Sequence, residues 1–108
     1  MADNIVDVTE AVDAFEPFEV EGDNNVVRDN TVLLGGTIVN ASAIYAISGT
    51  ANTLDGNIAA PSSPFERVRT GMAFTADGNY YGDNRMAATM PFALGGTVQI
   101  DWGGNVGY

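Results

Sequence analysis

The stretch Arg67-Val68-Arg69-Thr70-Gly71-Met72-Ala73-Phe74-Thr75-Ala76-Asp77-Gly78-Asn79 decides the reading of the fold. Val68, Thr70, Met72 and Phe74 alternate with Arg67, Arg69, Gly71 and Ala73. A period of two places the first set on one face of a β-strand and both arginines on the other. Asp77-Gly78 follows at once, a dipeptide that suits the positive φ of a tight hairpin. The same grammar extends outward in both directions. Residues 31–40 read as an apolar strand or strand pair around Gly35-Gly36, and 43–48 as another strand. Tyr80-Tyr81, then 85–90, then 97–102 complete about seven or eight short strands, with turn residues every 8–12 positions or so. Val, Ile and Thr total 26 residues against four Leu, the balance of pleated sheets rather than helix bundles. The expectation is an all-β body over 31–108, a small antiparallel β-sandwich or jelly-roll-like barrel.

Two short echoes bear on that architecture. LGGT occurs at 34–37 and 94–97, and T-x-D-G-N at 53–57 and 75–79. Two copies at irregular spacing do not make a solenoid. Paired glycines suggest bulges or equivalent corners of a folded-over, two-sheet structure.

Charge divides the chain. Of its 108 residues 14 are acidic and four basic, a formal net charge of −10, and every basic residue is arginine. Residues 1–30 carry nine of the acids against Arg28 alone, and read as an acidic N-terminal arm. Ile5, Val8, Val12 and Phe15 recur at helical spacing, with Asp7, Glu10 and Asp13 opposite. Thr9 caps a short helix over 10–15, which Pro17 ends. Phe18 and Val20 then alternate with Glu19 and Glu21 as a strand. The apolar side of this arm wants a surface, on its own domain or on a neighbour. Arg67 and Arg69 form a candidate assembly face with complementary charge for such an arm.

The inventory excludes most chemistry. There is no His, Cys or Lys, hence no imidazole base, thiolate, zinc site, Schiff base or phosphate-loop lysine. No catalytic residue is assigned, and the chain is read as a non-enzyme without a cofactor. Asp55, Asn57, Asp77, Asn79, Asp83 and Asn84 are hard oxygen donors, but no stretch matches a calcium-binding loop, and Asp-Gly and Asn are ordinary turn residues. No metal is expected. Tyr80, Tyr81 and Trp102 form a candidate sugar-stacking platform. Net charge repels nucleic acid and anionic membranes. The first ten residues lack a basic and apolar leader, and no apolar run reaches transmembrane length.

A short, β-rich chain, poor in reactive residues, rich in Gly, Thr, Ala and Asn and carrying a terminal arm, resembles the small capsid decoration (cement) proteins of tailed bacteriophages. That resemblance implies a virion protein made in the host cytoplasm. It would bind the exterior of a shell built from the major capsid protein, as a dimer or trimer, and brace it. Two other classes remain open. One is a glycan-binding fibre or tip module. The other is an acidic mimic of nucleic acid that inhibits a basic protein.

Overall fold

A computed structural model describes residues 3–8, 18–34, 43–61 and 68–107. Thirteen short strands occur in that part of the chain, in the order β1 Ile5–Val8, β2 Phe18–Val20, β3 Val26–Arg28, β4 Thr31–Leu34, β5 Tyr45–Ile47, β6 Thr53–Asp55 and β7 Ile58–Pro61. β8 Val68–Phe74, β9 Tyr80–Gly82, β10 Arg85–Met86, β11 Ala88–Ala93, β12 Ile100–Asp101 and β13 Val106–Gly107 follow. They form three sheets, ordered β1-β4-β7-β10-β13, β11-β8-β5-β2 and β12-β9-β6-β3. Every pairing is parallel.

The antiparallel sandwich or jelly roll expected from the strand pattern is therefore not the fold. Parallel neighbours need a long return path, and here the return is a full turn of a coil through the other two sheets. The chain is a parallel β-solenoid, the architecture that the irregular spacing of LGGT and T-x-D-G-N argued against. Register shows the true repeat: Val26 pairs with Thr53 and Thr53 with Tyr80, while Phe18 pairs with Tyr45 and Tyr45 with Met72. Each step is 27 residues.

The repeat is carried by asparagine. Asn25, Asn52 and Asn79 stand 27 residues apart at one corner, and Asn30, Asn57 and Asn84 at the next. At each corner the residue just before the Asn has positive φ. These are Asn24 (60°), Ala51 (56°) and Gly78 (79°) at the first corner, and Asp29 (53°), Gly56 (67°) and Asp83 (53°) at the second. So Asp77-Gly78 makes a left-handed corner between two sheets, not a hairpin. The chemistry that favours glycine is the same in both, which is why the dipeptide misleads.

The amides stack. The backbone N–H groups of Asn25, Asn52 and Asn57 donate to the Oδ1 atoms of Asn52 (2.8 Å), Asn79 (2.9 Å) and Asn84 (2.9 Å) one turn on. Each Nδ2 donates the other way: Asn52 to Gly22 O, Asn57 to Val27 O, Asn79 to Gly49 O and Asn84 to Leu54 O, all at 2.9–3.0 Å. Asn30, Asn52, Asn57, Asn79 and Asn84 are fully buried. Among the described residues no buried side-chain polar atom lacks a partner. The ladder thus satisfies the backbone groups that the corners withdraw from the sheets.

Inward-facing columns fill the coil. Phe18, Tyr45, Met72 and Phe92 stack in one, with Phe18 and Tyr45 rings 5.0 Å apart. Val20, Ile47 and Phe74 make a second, and Val27, Leu54, Tyr81 and Asp101 a third. Thr70, Met72 and Phe74 are buried while Arg69 is exposed, as the alternation in β8 requires.

Candidate functional site

The two ends of the coil differ. At the start, the inward side chains Phe18, Val20 and Val27 are at most 4 % exposed although β2 and β3 are edge strands. At the other end β11, β12 and β13 are all edges, and their side chains are open. Met90, on the inward parity of β11, is 54 % exposed, and Phe92 and Leu94 are only half-buried against the core. Val98 (72 %), Ile100, Trp102 and Val106 add to this end.

At the centre of that end stands a carboxylate. Asp101 continues the column Val27, Leu54, Tyr81, and its Oδ1 accepts from Gly103 N (2.8 Å) and Asn105 Nδ2 (2.7 Å). Burial raises the Tyr81 phenol above its ordinary pKa, and the facing Asp101 carboxylate raises it further, both by favouring the neutral hydroxyl. The last turn also departs from the repeat: Gln99 replaces the first Asn, and Asn105 follows it by six residues rather than five. Gln99 still accepts from Asn79 N at 2.8 Å, and Asn105 from Asn84 N at 3.1 Å.

A second feature lies on the outer face of the β12-β9-β6-β3 sheet. Val26, Thr53, Tyr80 and Ile100 form one outward column by register, and Arg28, Asp55 and Gly82 the next. Trp102 donates its backbone N–H to Tyr81 O (3.2 Å) and lays its indole across Gly82. A Cβ at Gly82 would overlap the indole Nε1 and Cδ1, so only glycine lets the ring lie flat there. Tyr80 and Trp102 are stacked, with centroids 6.4 Å apart and planes 28° from parallel, and are 39 % and 47 % exposed.

The structure therefore separates the three aromatic residues singled out in the sequence. Tyr80 and Trp102 share the outer face. Tyr81 is a core residue whose ring meets Phe74 (5.3 Å) and Phe92 (5.7 Å). Of the arm residues, Phe18 and Val20 are buried in the common core, and Ile5, Asp7 and Val8 belong to β1, paired with β4. Glu10, Val12, Asp13, Phe15 and the expected helix over 10–15 lie outside the described residues, as does Arg67. Arg69 is exposed on β8. The oxygen donors Asn57, Asn79 and Asn84 are committed to the ladder, and Asp77 Oδ1 accepts from Val98 N at 2.8 Å.

A third, shallower feature is a groove of about 310 Å³ lined by Glu19, Ala43, Ala46, Ile47, Ser48, Ala73 and Thr75. Its floor comes from alanines that the 27-residue register aligns with Glu19.

Comparison with protein-family models, curated proteins and solved structures returns no match.

Proposed function

We propose that this chain is a non-enzymatic structural module of a large assembly, a decoration protein bound to the exterior of a virion shell. The observation that carries the reading is the difference between the two ends of the coil. One end buries its inward side chains, and the other presents Met90, Phe92, Leu94, Val98 and Val106 around three edge strands. Open edges backed by apolar side chains are the usual template for pairing with another chain. The Asn ladder holds that end on a stiff body, so little ordering cost attends docking. Many identical positions on a shell would multiply a modest single-site affinity. The chain's charge of −10 favours a partner surface that is basic around an apolar centre.

The test is co-sedimentation of the full chain with shells assembled from the major capsid protein encoded beside it. Wild type is expected to pellet with the shells, and Met90→Asp and Val98→Asp to remain in the supernatant. Both positions are exposed, so far-ultraviolet circular dichroism of the variants should match wild type. No pelleting of wild type, or pelleting unchanged by either substitution, refutes the reading.

A further inference from the structure

We infer that the outer face of the β12-β9-β6-β3 sheet binds a neutral saccharide, with one pyranose ring lying on Tyr80 and Trp102. A pyranose offers C–H groups on its faces and hydroxyls around its rim. It is therefore held by a flat aromatic surface beside directional hydrogen-bonding groups. This sheet supplies both. Trp102 is pressed flat on the backbone of Gly82 and stacked with Tyr80, so the two rings form a shelf whose orientation is set before any ligand arrives. One turn away in the same outward columns stand Thr53 and Asp55, both half-buried, and beyond Asp55 the exposed Arg28. A hydroxyl, a carboxylate and a guanidinium thus line one side of the shelf at successive turns about 4.8 Å apart, close to the length of one sugar unit.

The charge selects among sugars and other occupants. Asp55 on the face, Asp83 and Asp101 nearby, and a total of −10 oppose uronic or sialic acids. A second copy laid on the same face would bring an equal charge against it. A neutral hexose polymer meets neither penalty.

The experiment is a titration of the full chain with neutral oligosaccharides of four to six hexose units (cello-, malto- and galacto-series), read by Trp102 fluorescence and by saturation-transfer NMR. At least one series should change the emission of the single tryptophan. Tyr80→Ala should weaken that binding about tenfold or more, and Gly82→Ala, which lifts the indole from the backbone, should weaken it likewise. Trp102→Phe, read by NMR, should retain part of it. An acidic hexuronate series should not bind. Absence of any neutral binder, binding indifferent to Tyr80→Ala, or equal binding of the acidic series overturns the inference. Met90→Asp leaves the shelf untouched and Tyr80→Ala leaves the open end untouched, so failure here and failure of shell docking are separately visible.

Discussion

Replacing Asn57 by alanine tests the claim that the amide ladder holds the coil together. Asn57 is fully buried at the middle of its corner. Its Oδ1 accepts from Asn30 N (3.2 Å) and Asn30 Nδ2 (3.1 Å), and its Nδ2 donates to Val27 O (2.9 Å) and Asn84 Oδ1 (3.0 Å). Alanine removes all four bonds and leaves the polar groups on both neighbouring turns facing a space with little room for solvent. The backbone groups at Asn30 and Val27 each lose a bond worth about 1–3 kcal/mol when its buried partner disappears, and the two side-chain pairs add to that. The expected loss is about 3–6 kcal/mol, a large part of the 5–15 kcal/mol typical of a whole domain. Asn105 holds the corresponding place on the last turn but is only half-buried, so water can replace its amide. Asn105→Ala should cost about 1 kcal/mol. Urea unfolding, followed by far-ultraviolet circular dichroism and by Trp102 fluorescence, measures both. A loss below about 1 kcal/mol for Asn57→Ala, or one no greater than for Asn105→Ala, refutes the reasoning.

Two further perturbations follow from the same corners and columns. Ala51 has φ of 56° where the equivalent residues are Asn24 and Gly78. Ala51→Gly relieves the left-handed strain on a Cβ at some cost in unfolded-chain entropy, for a net gain of about 0.5 kcal/mol and a rise in Tm of about 2–4 °C by calorimetry. Burial raises the Tyr45 phenol far above its ordinary value of 10.0, and Tyr81 is raised as well. The folded state thus keeps protons that the unfolded state gives up, so their contribution is complete below pH 10 and is lost as pH rises beyond it. Urea midpoints should be flat with respect to these groups below pH 10 and fall above it, and Tyr45→Phe should make the alkaline fall shallower.

Strand positions were legible because side-chain alternation is local. The strand read at Val68–Phe74 coincides with β8, and Phe18 to Val20 is β2. Strand direction was not legible from the same signal, because an alternating strand buried on one face looks alike in parallel and antiparallel sheets. The deciding information lay at long range, in Asn25, Asn52 and Asn79 with Asn30, Asn57 and Asn84, each pair five residues apart and each recurring at 27. Identical tetrapeptides drew attention away from it. Asp55-Gly56-Asn57 and Asp77-Gly78-Asn79 look like copies, yet they occupy different corners of the coil. Their true counterparts, Asp29-Asn30 and Asp83-Asn84 for the first and Asn24-Asn25 and Ala51-Asn52 for the second, share only the left-handed residue and the amide. A corner constrains φ and one hydrogen-bonding side chain, and leaves everything else free to vary. The exposure of Tyr80 and the burial of Tyr81 follow from alternation alone. The place of Trp102 over Gly82 requires the register of the following turn.

That register also explains why the coil ends where it does. The corner between the first and second sheets spans residues 35–44 on one turn, 62–67 on the next and only Ala87 on the last, so the final turn is the tightest. It is also the only one to place a charge, Asp101, on an inward column. Another turn stacked in register would bury that carboxylate, at a cost of several kcal/mol unless it were matched by donors. Asp101 instead spends its Oδ1 on Gly103 and Asn105 within its own turn. An inward charge on an edge is a recognised way to prevent indiscriminate strand addition. The end is therefore open to contact and closed to simple continuation. Its apolar ring can be covered only by a surface that brings a hydrogen-bond donor or a cation to the centre, which turns a generic sticky edge into a selective one.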